Sequence, residues 1–147
     1  MATPTLYTIG FTKKSARSFF TLLKENHIIR ILDVRLNNSS QLAGYTKRND
    51  LEYFLGVICS CSYRHIPELA PTKEILDAYH AKKISWFDYE KQFNLLLAQR
   101  APQNLISSEE IDRSCLLCAE ADPEKCHRRL VAEYLQNTIK GLTVRHL

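Results

Sequence analysis

A short apolar segment, an amphipathic stretch and a second apolar segment follow one another near the start of the chain, and this order constrains the fold most. Leu6–Ile9 has the length and character of a buried strand, and Gly10 ends it. Residues 12–26 predict a helix capped by Thr12, and Ile28–Val34 predicts a second strand because it is β-branched and nearly all apolar. The apolar face of the helix consists of Ala16, Phe19, Phe20 and Leu23. A strand, a helix and a strand within roughly 30 residues indicate a right-handed parallel crossover.

Later segments continue this alternation. The further predicted strands are Tyr63–Ile66, Cys115–Ala119 and Leu142–His146. The further predicted helices begin near Asp50, at a capping box on Ser85 that leads toward Arg100, and at Asp122–Pro123. We therefore expect one α/β domain over residues 1–147, with a mainly parallel central sheet flanked by helices in a Rossmann-like three-layer sandwich. Leu6–Ile9, Ile28–Val34 and Cys115–Ala119 are expected to be neighbours near the centre of the sheet.

Composition indicates where the protein works and what it can bind. The apolar runs are too short to cross a bilayer, and residues 1–4 lack the regions of a signal peptide, so we expect a cytoplasmic protein without a membrane partner. Five cysteines, an odd number, suit reduced thiols in that compartment. The net charge of +4 is compatible with an anionic ligand. The oligomeric state is left open.

Polar residues follow the predicted strands at the edge where ligands collect in open α/β sheets, beyond the carboxyl ends of the strands. Cys126 lies where the last strand passes into a helix, either within the first turn or as the first helical residue. The positive end of the helix and the adjacent Arg128 and Arg129 are expected to lower the pKa of its thiol and to attract phosphate or carboxylate. The alternative is that Cys126 only fills space in the core.

Two carboxylates are the candidate proton carriers. Asp33 and Arg35 lie two residues apart at a strand end, so they point to the same side and suit a base and an anion clamp. The alternative is a salt bridge that fixes the loop. Glu120 is the second carboxylate, and two carboxylates in one site would also allow a divalent metal ion such as magnesium. His127 is expected to meet Asp33 or Glu120, or to hydrogen-bond a backbone carbonyl.

A structural zinc site is the alternative reading of Cys115, Cys118, Cys126 and His127. Cys115 and Cys118 lie three residues apart on a predicted strand, so they face opposite sides of the sheet and cannot both chelate one ion. A phosphatase-type cysteine loop needs an arginine six positions after Cys126, where this chain has Ala132. Glycine loops that cradle phosphates and serine elbows are absent from the sequence.

Five motifs together resemble the domain of unknown function 488 family. They are Tyr7–Thr12, Leu32–Arg35, Tyr63–Leu69, Cys118–Glu120 and Cys126–Arg128, and they occur in the order and with the spacing typical of that family. The resemblance implies the fold and the position of the site more firmly than an activity, and it strengthens a functional role for Cys126.

We therefore predict a site for a phosphate-bearing substrate, a nucleotide or nucleic acid, in an enzyme that is a thiol-dependent hydrolase or transferase. The predicted catalytic residues are Cys126, His127, Asp33 and Glu120. The predicted substrate-binding residues are Gly10, Thr12, Arg35, Ser40 and Arg128. No cofactor or metal ligand is assigned, although a divalent metal ion is left open. The alternatives are a non-catalytic module that binds nucleic acid or an anion, and a thiol-based redox or metal-binding domain.

Overall fold

The computed structural model describes residues 3–38 and 44–147, and it contains one sheet of five parallel strands. The strands are β1 Thr5–Gly10, β2 Arg30–Asp33, β3 Ser62–His65, β4 Ser114–Cys118 and β5 Thr143–His146. Their order across the sheet is β3-β2-β4-β1-β5. The three strands expected near the centre are therefore neighbours there, since β4 pairs with β2 on one side and with β1 on the other. This confirms the predicted α/β fold with its parallel central sheet.

Helices cover both faces of the sheet. They are α1 Ala16–Glu25, α2 Arg48–Phe54, α3 Lys73–His80, α4 Trp86–Arg100, α5 Ser108–Ile111 and α6 His127–Thr138. A π-helical segment, Leu55–Cys59, continues α2, and short 3-10 turns lie at Gly44–Thr46, Pro67–Leu69 and Pro102–Asn104. In the part of the chain that the structure describes, none of the helices is both long enough and apolar enough to span a membrane.

Successive side chains along each strand point to opposite faces of the sheet, so the core consists of two layers. On β4, Leu116 and Cys118 pack with α4 and α6 on one face, whereas Cys115 and Leu117 pack with α1 and α2 on the other. All five residues of β4 are buried, as a central strand covered on both faces requires. Cys115 and Cys118 therefore do face opposite sides of the sheet, as the spacing predicted.

Two predicted helix starts are wrong. The first helix begins at Ala16 rather than Thr12, because the hydroxyl of Ser15 accepts the N–H of Ser18 while Thr12 donates its own N–H to the carbonyl of Ala119. The last helix begins at His127 with Cys126 as its N-cap.

Before that helix, Asp122 and Pro123 form a turn instead of its first residues. A side-chain oxygen of Asp122 accepts the N–H of Glu124, and the carbonyl of Pro123 accepts the N–H of Cys126. These local hydrogen bonds satisfy the backbone without a helix. The predicted capping box on Ser85 is confirmed, since Ser85 and Asp88 cap each other's backbone N–H groups at the start of α4.

Candidate functional site

A pocket of about 230 Å³ opens at the carboxyl end of the sheet, on the face covered by α3, α4 and α6. Its floor is formed by Cys118 at the end of β4 and by Cys126 and His127 at the start of α6. One wall is aromatic and comes from α3 and α4, and the charged residues Arg35, Glu120 and Lys125 also line the pocket, beside the loops. The aromatic residues of that wall are Tyr79, Trp86 and Tyr89.

Cys118, Cys126 and His127 form a compact buried cluster. Their sulfur and ring nitrogen atoms lie within 4.8 Å of one another, and the three residues could hold a metal ion. Cys118 Sγ is 3.5 Å from Nδ1 of His127. Nε2 of His127 donates to the carbonyl of Val34 at 2.6 Å, so this nitrogen carries a proton. Nδ1 is the ring nitrogen nearer to Cys118 Sγ, which lies 3.8 Å from Nε2.

Cys118 is the most acidic thiol of the chain. A hydrogen bond from the Cys126 thiol lowers the pKa of Cys118 most, against the opposing effect of burial. The backbone N–H groups of Ala119 and Glu120 and the charge of Arg128 lower it further. Hydrogen-bond donors that converge on a sulfur atom favour the thiolate.

The other four cysteines have raised pKa values. The hydrogen bond to Cys118, followed by burial, raises the pKa of the Cys126 thiol. Burial alone is the largest cause for Cys59 and Cys115, and for Cys61 it raises the pKa to about 12. Cys126 does stand at a helix start, as the sequence suggested, but the hydrogen bond to Cys118 and its burial raise its pKa instead of lowering it. The acidic thiol is therefore Cys118, a residue that sequence reasoning treated only as a zinc or redox candidate.

Asp33 and Arg35 form a buried salt bridge beneath the pocket. Nη2 of Arg35 lies 2.8 Å from the carboxylate of Asp33, and Nε and the backbone N–H of Arg35 donate to it as well. The hydroxyl of Tyr63 donates to the same carboxylate at 2.5 Å. A carboxylate with this many hydrogen-bond donors anchors the loop after β2. Asp33 is absent from the lining of the pocket. Its geometry therefore agrees with the alternative interpretation, a salt bridge that fixes the loop.

One nitrogen of the Arg35 guanidinium has no hydrogen-bond partner among the described residues. Its Nη2 also donates to the carbonyl of Thr46, and its guanidinium lies 5.6 Å from the ring centroid of Phe11. Nη1 is buried and has no hydrogen-bond partner among the described residues. Buried N–H groups are rarely left unsatisfied in native proteins. Since Arg35 also lines the pocket, this group is suited to an anionic group of a ligand.

Arg128 lies behind the floor of the pocket. Its side chain is fully buried, its Nε donates to the hydroxyl of Thr8 at 3.1 Å, and its Nη1 donates to the carbonyl of Glu120. Arg128 does not line the pocket, so it cannot grip a ligand there directly. Its charge instead acts on Cys118 through the protein.

Gly10 and Thr12 hold the loop after β4 in place. A Cβ atom on Gly10 would overlap the carbonyl of Glu120 and crowd the guanidinium of Arg128, so only glycine fits there. Thr12 fixes Ala119 through the backbone hydrogen bond described above. Neither residue lines the pocket, and the predicted substrate contact of Ser40 falls on residues outside those that the structure describes.

Of the nine predicted site residues, four line the pocket: Arg35, Glu120, Cys126 and His127. The aromatic wall and Lys125 were missed. Trp86 and Tyr89 are three residues apart, which places them on one face of α4, and their rings stack at 4.7 Å. That spacing is equally typical of a core-facing helix, so the sequence offered no means of assigning the pair to a pocket rather than to the core.

The comparisons with known proteins give a family and no activity. The family model described as "Domain of unknown function DUF488" matches residues 15–135. Neither a curated protein nor a solved structure matches the chain. The match confirms the resemblance that the five motifs indicated.

Proposed function

The chain belongs to the DUF488 family, whose description names no reaction, and from the geometry of its pocket we propose that it is an enzyme acting on a phosphate-bearing small molecule. The observation that carries this proposal is the convergence of two kinds of group on one pocket. Cys118, Cys126 and His127 supply reactive groups on the floor, and Arg35 and Lys125 supply cationic groups beside it. Reactive side chains with shifted pKa values in a cleft are typical of active sites.

Cys118 is the proposed nucleophile of a thiol-dependent hydrolase or transferase, the role that the sequence alone suggested for Cys126. Its proton passes to Nδ1 of His127, and the sulfur then bonds to the electrophilic phosphorus or carbon atom of the substrate. The bond to the leaving group breaks, and the leaving group keeps the electron pair and takes the proton from His127. Water or a second substrate then displaces the sulfur and restores the thiol.

Two features of the substrate would position it in the pocket: a negatively charged phosphate and a planar ring. The free N–H of Arg35 and the ammonium of Lys125 suit a phosphate, and the rings of Tyr79 and Trp86 suit a nucleobase or another flat ring. A pocket of about 230 Å³ favours a mononucleotide or a smaller phosphate ester over a nucleic-acid strand.

A zinc-dependent form of the same enzyme is the second candidate. Two ligands of one tetrahedral zinc, at about 2.3 Å for sulfur and about 2.05 Å for nitrogen, lie roughly 3.5 Å apart. Cys118 Sγ and His127 Nδ1 have this separation. The hydrogen bond from Nε2 of His127 to the Val34 carbonyl is the support that metal-bound histidines usually have. Cys118, Cys126 and His127 would hold the ion, which supplies Lewis-acid polarisation of a phosphoryl oxygen.

One experiment tests both candidates. The purified protein is assayed against a panel of mononucleotides and phosphate esters before and after dialysis against a chelator, and its zinc content is measured. We expect turnover that Cys118→Ala abolishes and that Lys125→Ala weakens, with Lys91→Ala, an exposed lysine on α4, as the matched control. Activity that survives chelation supports the thiol nucleophile, and activity lost with about one equivalent of zinc supports the metal. Turnover that persists in Cys118→Ala would contradict both.

A further inference from the structure

A second concave surface lies on the opposite face of the sheet from the proposed active site. This groove, of about 440 Å³, runs between α1 and the segment formed by α2 and its π-helical continuation. We call it the α1–α2 groove, and its main lining residues are Arg17, Phe20, Lys24, Tyr45, Phe54 and Ile58. Phe20 and Phe54 belong to the core layer of α1 and α2, whereas Cys118 belongs to the other layer. An activity at the groove is therefore independent of the proposed enzyme.

The floor of the groove is aromatic and continues onto an exposed apolar surface. The rings of Phe20 and Phe54 meet edge to face at 6.0 Å, and Phe20 meets Tyr45 at 5.9 Å. Ile58 is 40% exposed and the neighbouring Val57 is 66% exposed. Contiguous apolar surface of this kind marks interaction sites on proteins that are otherwise well packed.

The charged residues along the groove have one sign. Arg17 and Lys24 are its charged lining residues, both are exposed, and neither forms an ion pair with any described residue. They lie seven residues apart on α1, so two helical turns, or about 10.5 Å, separate them along the axis. A partner that is apolar at its centre and negative at two points about two turns apart would match this pattern.

The π-helical segment itself supports a binding role. Leu55–Cys59 follows directly from α2 and ends at Ser60, which has a left-handed backbone with φ of 53°. π-Helical turns are rarer than α-helical ones and are found mostly at functional positions. Here the segment carries Val57 and Ile58 on the outside of the molecule, beside the groove.

We propose that the α1–α2 groove binds an acidic amphipathic helix of a partner protein. Apolar side chains of that helix lie over Phe54 and Ile58, and two of its carboxylates, seven residues apart, contact Arg17 and Lys24. A nucleic-acid strand fits less well, because only two cations of the described residues line the groove and the central ring, Phe20, is only 5% exposed.

The test uses two synthetic helical peptides of about 14 residues, a length at which a helix begins to be stable. Both carry leucines at two central positions of one face. One has glutamates seven residues apart on that face, and the other has lysines at the same two positions. Binding of each fluorescein-labelled peptide to the full chain is measured by fluorescence anisotropy at low salt. The variants are Arg17→Glu with Lys24→Glu, Ile58→Asp, and Lys91→Glu as the matched control on α4.

We expect the glutamate peptide to bind the native chain roughly tenfold or more tightly than the lysine peptide, and the double charge reversal to invert that preference. Ile58→Asp should remove binding of both peptides, because the apolar contact is lost, while Lys91→Glu leaves both affinities unchanged. Circular dichroism checks that each variant is folded. Three results would overturn the proposal: no binding below about 1 mM, competition by a short single-stranded oligonucleotide, or self-association of the native chain that Ile58→Asp abolishes. The last result would assign the groove to a second copy of this chain.

Discussion

Two arginines are buried at the carboxyl edge of the sheet, and their guanidinium groups have different kinds of partner. Arg35, after β2, contacts the carboxylate of Asp33 through Nε and Nη2, and Tyr63 donates to the same carboxylate. Arg128, at the start of α6, contacts only neutral groups among the described residues, namely the hydroxyl of Thr8 and the carbonyls of Glu120 and Ala121. Both guanidiniums are nearly or fully inaccessible to solvent.

The difference separates a structural region from a reactive one. At the end of β2 the charge of Arg35 is balanced by the carboxylate of Asp33, so the pair fixes the loop, and Nη1 is the part of the guanidinium that the pair does not use. At the start of α6 the charge of Arg128 meets no carboxylate among the described residues, so its field reaches other groups. It lowers the pKa of Cys118, and it also contributes to the lowered pKa values of Lys14 and His146. A buried cation without a counter-ion costs stability, and its charge favours the ionised form of the Cys118 thiol nearby.

The largest expected effect is on the structural region. Asp33→Ala leaves the buried guanidinium of Arg35 without its carboxylate, which should lower the free energy of unfolding by about 3–5 kcal/mol. Urea denaturation measures this loss. Asp77→Ala is the matched control, because Asp77 forms a solvent-exposed ion pair with Lys73 that should contribute little to stability. Equal losses in the two variants would mean that the β2 pair is not a structural clamp.

The next effect concerns Arg128. Arg128→Met removes its donors from buried acceptors and should cost about 2–3 kcal/mol in urea denaturation. The same variant should raise the pKa of Cys118, because a positive neighbour is lost, and so slow its alkylation at neutral pH. Arg129→Met is the control, since Arg129 is the adjacent residue and pairs with Glu90 and Glu133 near the surface. If both variants leave Cys118 equally reactive, the field of Arg128 plays no part.

A smaller effect appears at alkaline pH. The pKa of Cys61 is raised to about 12 in the folded chain, so between about pH 9 and 12 the unfolded chain loses this proton while the folded chain keeps it. Stability should therefore fall as the pH rises through that window, by at most about 1.4 kcal/mol per pH unit for this group. Cys61→Ala should flatten the decline measured by urea denaturation at several pH values. An unchanged slope would contradict the assignment.

Cys118 has the opposite linkage. Its pKa is lowered on folding, so its contribution to stability is present above the pKa of the unfolded thiol. That contribution is lost as the pH falls through the folded pKa. Burial, which raises the pKa of Cys61, therefore makes stability fall as the pH rises. Hydrogen bonding, which lowers the pKa of Cys118, makes stability fall as the pH decreases.

The smallest effect on stability is expected at Cys126. Cys126→Ser keeps a hydrogen-bond donor beside Cys118, whereas Cys126→Ala removes it, so only the alanine variant should raise the pKa of Cys118. The measurement is the pH dependence of Cys118 alkylation in each variant. Equal profiles in the two variants would show that the Cys126 thiol does not stabilise the Cys118 thiolate.

The fold was predictable because its signals are local and strong. The strands β1, β2 and β4 are short, almost wholly buried and rich in apolar residues, which is typical of strands at the centre of a parallel sheet. The short helices α3 and α5 were not predicted. Each begins at a local cap that was overlooked: the hydroxyl of Thr72 accepts the N–H of Ile75 at the start of α3, and Ser107 caps α5.

The site was predictable only in position. Strand ends and the Cys126–Arg128 motif located the edge of the sheet, but the choice between Cys126 and Cys118 depends on which thiol receives hydrogen bonds. Sequence distance does not contain that information, because the donors to Cys118 come from the following loop and from another element. The same limit applies to Asp33, whose partners Arg35 and Tyr63 decide that it anchors a loop.

The lowered pKa of Cys118 is tested most directly by alkylation of the native chain with iodoacetamide across a pH range. The modification of each cysteine is quantified separately by mass spectrometry. If solvent accessibility alone decided the rate of alkylation, Cys59, which is partly exposed, would react first. Cys118 is only 6% exposed at the floor of its pocket. We expect Cys118 to be modified first, with a midpoint below the usual pKa of a thiol. Faster modification of Cys126, or a Cys118 that reacts no faster than Cys59, would contradict this expectation.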